Sequence, residues 1–313
     1  MIDRLPVPEG LQKRWQALPG NARGAIWMIM ATACAATMGA LFKVVGQRII
    51  VFEIILIRQL IVAVIIIPMN FHIGLSILRT PMLKFHVLRG FFASVAMATG
   101  FSAIIYMPLA EAVTISFSQT LFLTILAIPL LGERVGIRRW TVTIIGFIGV
   151  LIIVRPTPDG FSIFALLALI SAFGRAVIGI ILRKVTQIDR PATIMAYQCI
   201  FITAVMIGPS IYYWVTPTLT DFLLILLIGL LMWLLQITMI QGYKAGEAVA
   251  IAPVEYTRLL FATILGYFLF GEVPTIWTIT GASIIIGSTL YTVHRNAIVK
   301  RKKAAAVTDQ VEK

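Results

Sequence analysis

Long uncharged apolar runs constrain this chain more than any other feature. Leu223–Leu235 is one such run and Ile145–Val154 another, and polar residues between runs are confined to short connectors. A membrane-crossing helix needs ~20 predominantly apolar residues, whereas a membrane β-strand alternates apolar with polar residues over about ten. Continuous runs fit the helix and not the strand. Of the 313 residues, 59% are hydrophobic and 12% charged, and the mean hydropathy is +0.97. An ordinary soluble domain carries ~25% charged residues. A disordered chain is excluded and a soluble globule nearly so, because its core could not hide this much apolar surface. The chain reads as an all-α integral membrane protein.

Ten spans are predicted, at roughly 24–45, 50–70, 86–106, 109–131, 139–154, 161–182, 191–213, 220–242, 247–270 and 276–294. Ten spans of ~20 residues leave no room for a separate soluble domain. The connectors carry Pro, Gly and charge, as in Arg79-Thr80-Pro81, Arg155-Pro156-Thr157-Pro158 and Asp189-Arg190-Pro191. The polar N-terminal stretch lacks the charged-then-apolar order of a cleavable signal peptide, so the first run reads as a retained span.

The net charge is +13. In a soluble protein this excess would suggest nucleic acid, but here it follows the Lys/Arg bias of cytoplasmic loops, and no nucleic-acid partner is expected. With the N-terminus inside, 20 Lys and Arg fall on the cytoplasmic side and three (Lys43, Arg48, Arg155) outside. Both termini are then cytoplasmic, which requires an even number of spans. The basic tail, Lys300-Arg301-Lys302-Lys303, reads as a topological anchor, with anionic membrane lipid as a possible contact.

The chain also repeats itself. Glu111-Ala112-Val113 followed by Leu131-Gly132-Glu133 recurs as Glu247-Ala248-Val249 followed by Phe270-Gly271-Glu272, at offsets of 136 and 139 residues. A tryptophan follows each copy (Trp140, Trp277). Two copies of five spans must have opposite orientations, because five is odd. The fold class is therefore ten transmembrane helices as two inverted repeats of five, a transporter plan with its site at the repeat interface. The organisation expected is a cytoplasmic N-terminal segment (1–23), a first repeat (24–154), a second repeat (161–294) and a basic cytoplasmic tail (295–313).

Charges inside spans are costly and usually face a cavity or a partner. Arg58, Arg175 and Arg258 are the basic ones. Arg58 is either an anion contact or half of a structural pair. Glu53 is five residues away and does not share its helix face. Span 9 reads Ala252-Pro253-Val254-Glu255-Tyr256-Thr257-Arg258, the densest polar cluster in any span. Pro253 removes a backbone hydrogen bond and can kink the helix. Glu255 and Arg258 stack three residues apart. This is either a substrate or proton site or a self-neutralising pair. In span 4, Ser118 and Gln119 occupy a comparable place in the repeat, as cavity lining or as small-residue helix packing. Arg175, Gln198, Gln236, Gln241, Tyr106 and Trp233 are polar or aromatic in spans, and for each alone helix–helix contact is the plainer reading.

No metal site and no catalytic set is expected. The histidines (His72, His86, His294) lie at span ends without ligand spacing, and Cys34 and Cys199 are far apart. There is no Gly-Lys-Ser/Thr phosphate loop, so energy should come from a gradient or from exchange. No cofactor is implied. Gly146-Phe147-Ile148-Gly149 permits close packing on span 5, by which a homodimer could form.

Phe52-Glu53 with Arg58, Leu88-Arg89-Gly90, Met107 to Ser116, Leu131-Gly132-Glu133, Ala252 to Arg258 and Gly271-Glu272 together resemble the drug/metabolite transporter superfamily, in its EamA-type ten-helix form. The resemblance covers about residues 22–294. Within it, the pattern resembles the bacterial branch that includes S-adenosylmethionine uptake carriers and riboflavin transporters, which implies the bacterial inner (plasma) membrane. The run Arg139 to Gly149 is similar to the former, while the order of Glu255 and Arg258 is exchanged relative to them. The resemblance implies a basket of helices around a central cavity, with spans 5 and 10 peripheral and alternating access by rocking halves.

The expected function is secondary-active transport of a small organic metabolite, S-adenosylmethionine or riboflavin among the candidates, and not enzymatic. Glu255 is the candidate proton or cation site, Arg58 and Arg258 the candidate anion contacts, and Tyr256 and Gln119 further polar contacts. The alternatives are a lipid flippase or accessory subunit and, last, a membrane enzyme on lipid-linked substrates.

Overall fold

The computed structural model describes residues 18–69, 78–131, 137–155, 162–246, 251–288 and 290–291. Among these, all regular secondary structure is helical: α1 (Gly20–Val45), α2 (Val51–Met69), α3 (Leu83–Tyr106), α4 (Leu109–Ser116), α5 (Gln119–Leu131), α6 (Ile137–Val154), α7 (Ile163–Val185), α8 (Pro191–Tyr212), α9 (Leu219–Ala245), a 3-10 turn (Ala252–Tyr256), α10 (Thr257–Phe270) and α11 (Ile276–Ser288). Each predicted span meets a helix. Two spans are interrupted: in span 4, α4 stops at Ser116, and Phe117 and Ser118 form a turn before α5, and in span 9 the 3-10 turn at Pro253 precedes α10. The first stretch of the second repeat copy (Glu247-Ala248-Val249), Gly132-Glu133, His72, His294 and the basic tail lie outside the described residues.

Local chemistry sets the helix ends. Thr218 caps α9 and closes a capping box with Asp221, which offsets unsatisfied N–H groups of the first turn. Pro191 opens α8 where its missing N–H costs nothing. Gly271 ends α10 at φ 66°, a left-handed conformation that favours glycine, and Glu272 N–H returns to Gly266 O at 3.0 Å. Along α9 apolar residues cover every side, where a soluble helix would show one stripe.

The inverted repeat is visible in the packing. An offset of 140 residues relates the end of α1 (Val45) to the end of α7 (Val185), and the start of α2 (Val51) to the start of α8 (Pro191). An offset of 139 relates the ends of α3 (Tyr106) and α9 (Ala245). The two most extensive helix pairings, α1 with α9 and α3 with α7, exchange under this relation. Close contacts exchange as well: a Cβ on Gly90 would meet Phe201, and one on Gly229 would meet Ile61, the equivalent position. The α1–α9 pairing brings Gly24 against Gly242, and the α3–α7 pairing brings Gly100 against Ser171. Without a hydrophobic drive between helices in lipid, such small residues supply close van der Waals contact. Gly149 packs against Gly281 and Ile284 of α11, so the Gly146/Gly149 face of α6 is in contact with the last helix of the same chain.

Candidate functional site

α2 and α8 are the equivalent second helices of the two repeats, and the eighth residue of each, Arg58 and Gln198, lines one common cavity. At 1.5 Å per residue each sits ~11 Å into its helix, entering from opposite sides of the membrane. The cavity holds about 120 Å³ and is completed by Gln59 and Val62 of α2, Met97 of α3, Met195 of α8, and Met232, Trp233 and Gln236 of α9. Met97 and Gln236 are equivalent at the 139-residue offset. Each repeat therefore contributes its second and third helices, and the cavity lies at the repeat interface.

Arg58 is 2% exposed. It donates from Nη2 to Gln59 Oε1 at 3.3 Å and approaches Met97 Sδ at 3.4 Å, and its guanidinium lies 5.9 Å from the Phe101 ring. Its Nε is buried without an acceptor. Among the described residues no carboxylate reaches ion-pair distance of Arg58. Glu53, on the same helix, instead accepts from Val215 N–H at 3.1 Å. Behind the cavity, Arg89 of α3 donates to Gln198 Oε1 at 2.9 Å and to Ile194 O at 2.5 Å. Sequence reading placed Arg89 among the cytoplasmic charges, but it is 2% exposed and belongs to this site's support.

The span 9 residues lie elsewhere. Pro253 and Glu255 are in the 3-10 turn, both exposed, and Arg258 is half-buried in the first turn of α10. Glu255 interacts electrostatically with Arg258, with Arg175 of α7 and with Tyr243 of α9. Arg175 and Arg258 share a small cleft of about 10 Å³ with Ser116 and Ser171, and Arg258 Nε is buried without an acceptor. Tyr256 meets Phe117 edge-on, ring centroids 4.9 Å apart, so the breaks in spans 4 and 9 touch one another. Gln119 begins α5 beside that crossing and lines neither cavity. The structure thus separates Arg58 from the Glu255–Arg258 group and brings Arg175 to the latter.

Gln59, Met97, Met195 and Met232 escaped sequence reading. A methionine in an apolar run carries no mark of its own. Gln59 could have been found as the neighbour of Arg58, and Gln198, already noted as a polar span residue, could have been matched to Arg58 through the repeat.

Polar ties join helices at both ends of the bundle. At one end Arg48, in the α1–α2 turn, pairs with Asp221 at the start of α9. Nearby, Lys43 pairs with Glu272 and donates to Met107 O at 2.7 Å, while Glu272 Oε2 accepts from Leu109 N–H, also at 2.7 Å. At the opposite end Asp189, in the α7–α8 turn, meets His86 Nε2 near the start of α3 at 2.8 Å and accepts from Thr80 Oγ1 at 2.6 Å. Arg48–Asp221 and Asp189–His86 join equivalent elements, a turn of one repeat to the third helix of the other.

Known proteins share this plan. The EamA-like transporter family matches twice, over residues 22–155 and 162–293. The S-adenosylmethionine uptake transporter of Rickettsia bellii is 29% identical over 92% of this chain and 99% of its own. The riboflavin transporter of Vibrio cholerae is 28% identical over 86% and 92%. The pseudopaline exporter of Pseudomonas aeruginosa is 26% identical over 84% and 93%. A solved crystal structure superposes with a TM-score of 0.59 at 19% identity, over 88% of this chain and 99% of that one, a likeness of fold. With both repeats matched, the chain belongs to the EamA-like transporter family and is a membrane transporter, not an enzyme.

Proposed function

We propose that this protein is a secondary-active carrier that moves a small organic metabolite across the bacterial inner membrane by alternating access, with the cavity between α2, α3, α8 and α9 as its substrate site. One observation carries the reading: a buried arginine, Arg58, without a carboxylate partner among the described residues, in a cavity shared by both repeats. An intramembrane charge is costly, and a cavity at a repeat interface is where a carrier spends that cost on its ligand. Arg58 is the anion contact. Arg258 with Arg175 forms a second cationic group, Glu255 beside them is the coupling-ion site, and Tyr256 and Gln119 flank the crossing of the broken spans. Both termini face the cytoplasm, a reading supported by the 20 to 3 distribution of Lys and Arg.

Counterflow in proteoliposomes tests this. Vesicles are preloaded with unlabelled metabolites, and entry of labelled S-adenosylmethionine, riboflavin and aromatic amino acids is followed against empty liposomes. Saturable entry of one compound is expected. Entry of none from folded protein, with scrambling of labelled lipid, would replace the carrier reading by a lipid flippase.

A further inference from the structure

The donors and acceptors around the cavity do not balance. Arginine has five N–H donors and no acceptor. An amide that meets a guanidinium must therefore present its oxygen. Gln59 does so to Arg58, at 3.3 Å, and Gln198 does so to Arg89, at 2.9 Å. Each amide oxygen is committed to an arginine, and each NH2 group is left as a donor on a residue that lines the cavity. Arg58 adds its positive charge and a buried Nε with no acceptor. Among the described residues, no Asp or Glu lines this cavity. Of the remaining wall, Gln236 is a polar amide with no arginine partner among the described residues, and Val62, Met97, Met195, Met232 and Trp233 form an apolar, polarisable surface. Methionine adapts to irregular or flat surfaces, and an indole presents a ring face.

We infer that the cavity selects a small organic monocarboxylate, its oxygens taken by Arg58, Gln59 and Gln198 and its apolar or aromatic body held against the methionines and Trp233. This deepens, and rests on, the reading of this cavity as the substrate site. A carboxylate supplies acceptors alone, as this donor set requires. One guanidinium neutralises one charge, so a dianion such as a phosphate monoester would leave an uncompensated charge within the membrane. An amine would bring more donors and a second positive charge.

The test uses the full-length protein in nanodiscs and a panel of aromatic and branched aliphatic monocarboxylates, each with its primary amide and its amine. The readouts are the thermal unfolding midpoint against ligand concentration and competition in counterflow. Carboxylates should raise the midpoint saturably, and amines should not. Arg58→Gln should raise the half-saturating concentration roughly 10- to 100-fold, the scale of a charge-assisted hydrogen bond. Gln198→Leu, which keeps Arg58, should weaken carboxylates several-fold through the loss of one donor, and it serves if Arg58→Gln does not fold. Stabilisation by amines or amides as strong as by carboxylates, no stabilisation by any carboxylate, or carboxylate binding indifferent to both substitutions overturns the inference. Saturable counterflow of a cation that is indifferent to Arg58 overturns it while the carrier reading stands. Arg58-dependent carboxylate binding without counterflow of any solute supports the inference and removes the carrier reading.

Discussion

Of the arginines inside the spans, Arg58, Arg175 and Arg258 have different surroundings. Arg58 is buried beside amides and a thioether, whereas Arg175 and Arg258 sit near each other and near the exposed carboxylate of Glu255. Two guanidinium groups near one carboxylate leave a net positive charge at the small cleft. If that group couples or gates transport, Arg258→Gln should abolish counterflow while the folded, membrane-inserted population, read by size-exclusion and protease resistance, stays at the parent level. Normal transport by that variant would reject a role for Arg258. At this scale charge was legible in the sequence, because a guanidinium in an apolar run has few reasons to be there. The partners were not. Helical spacing shows which residues share a face of one helix, but Arg89–Gln198 and Arg175–Arg258 depend on how separate helices dock.

The helices themselves followed from apolar runs, and most predicted ends fall within a few residues of the observed ones. The break in span 4 did not, because Phe117 and Ser118 carry no proline or glycine to mark it. Span 9 has Pro253 at the corresponding place, whereas in span 4 the hydroxyls of Ser116 and Ser118 donate back to Val113 O and Ile115 O at the break, each at 2.6 Å. The recurring Gly-Glu motif also acquires a physical reason. Gly271 turns the chain out of α10 so that Glu272 reaches Lys43, at the end of α1, and the first N–H of α4. A carboxylate at a helix N-terminus is favourable, and here it also neutralises a lysine that is 8% exposed. Glu272→Ala leaves that ammonium unpaired and should cost ~3–5 kcal/mol of stability. Lys43→Met with Glu272→Gln should cost clearly less, since both charges go together. Thermal unfolding in detergent checks both, and equal losses would show that the pair contributes no coupling.

At the scale of the whole molecule, the inverted repeat makes the two ends of the bundle chemically comparable. Arg48–Asp221 ties helices at one end and Asp189–His86 at the other, each reinforced by a threonine hydroxyl, Thr218 or Thr80. Under the proposed orientation the Arg48 tie is external and the His86 tie cytoplasmic. An alternating-access carrier must break one while keeping the other, and a ligand or mutation shifts the balance only by the free energy it applies differently to the two states. Arg48 is 44% exposed at its side chain, so its tie is worth ~1 kcal/mol at most and its loss changes the open-to-closed ratio about fivefold. In a background with Cys34 and Cys199 replaced, Gln236→Cys places a thiol in the cavity wall. Adding Arg48→Ala should speed its modification by an external, membrane-impermeant reagent several-fold and slow it from the cytoplasmic side. Adding His86→Ala should do the reverse. Two variants that move labelling in the same direction would mean that the ties hold the bundle together without gating it. Opposite movements would make the repeat symmetry, already expressed in the packing, the basis of the transport cycle.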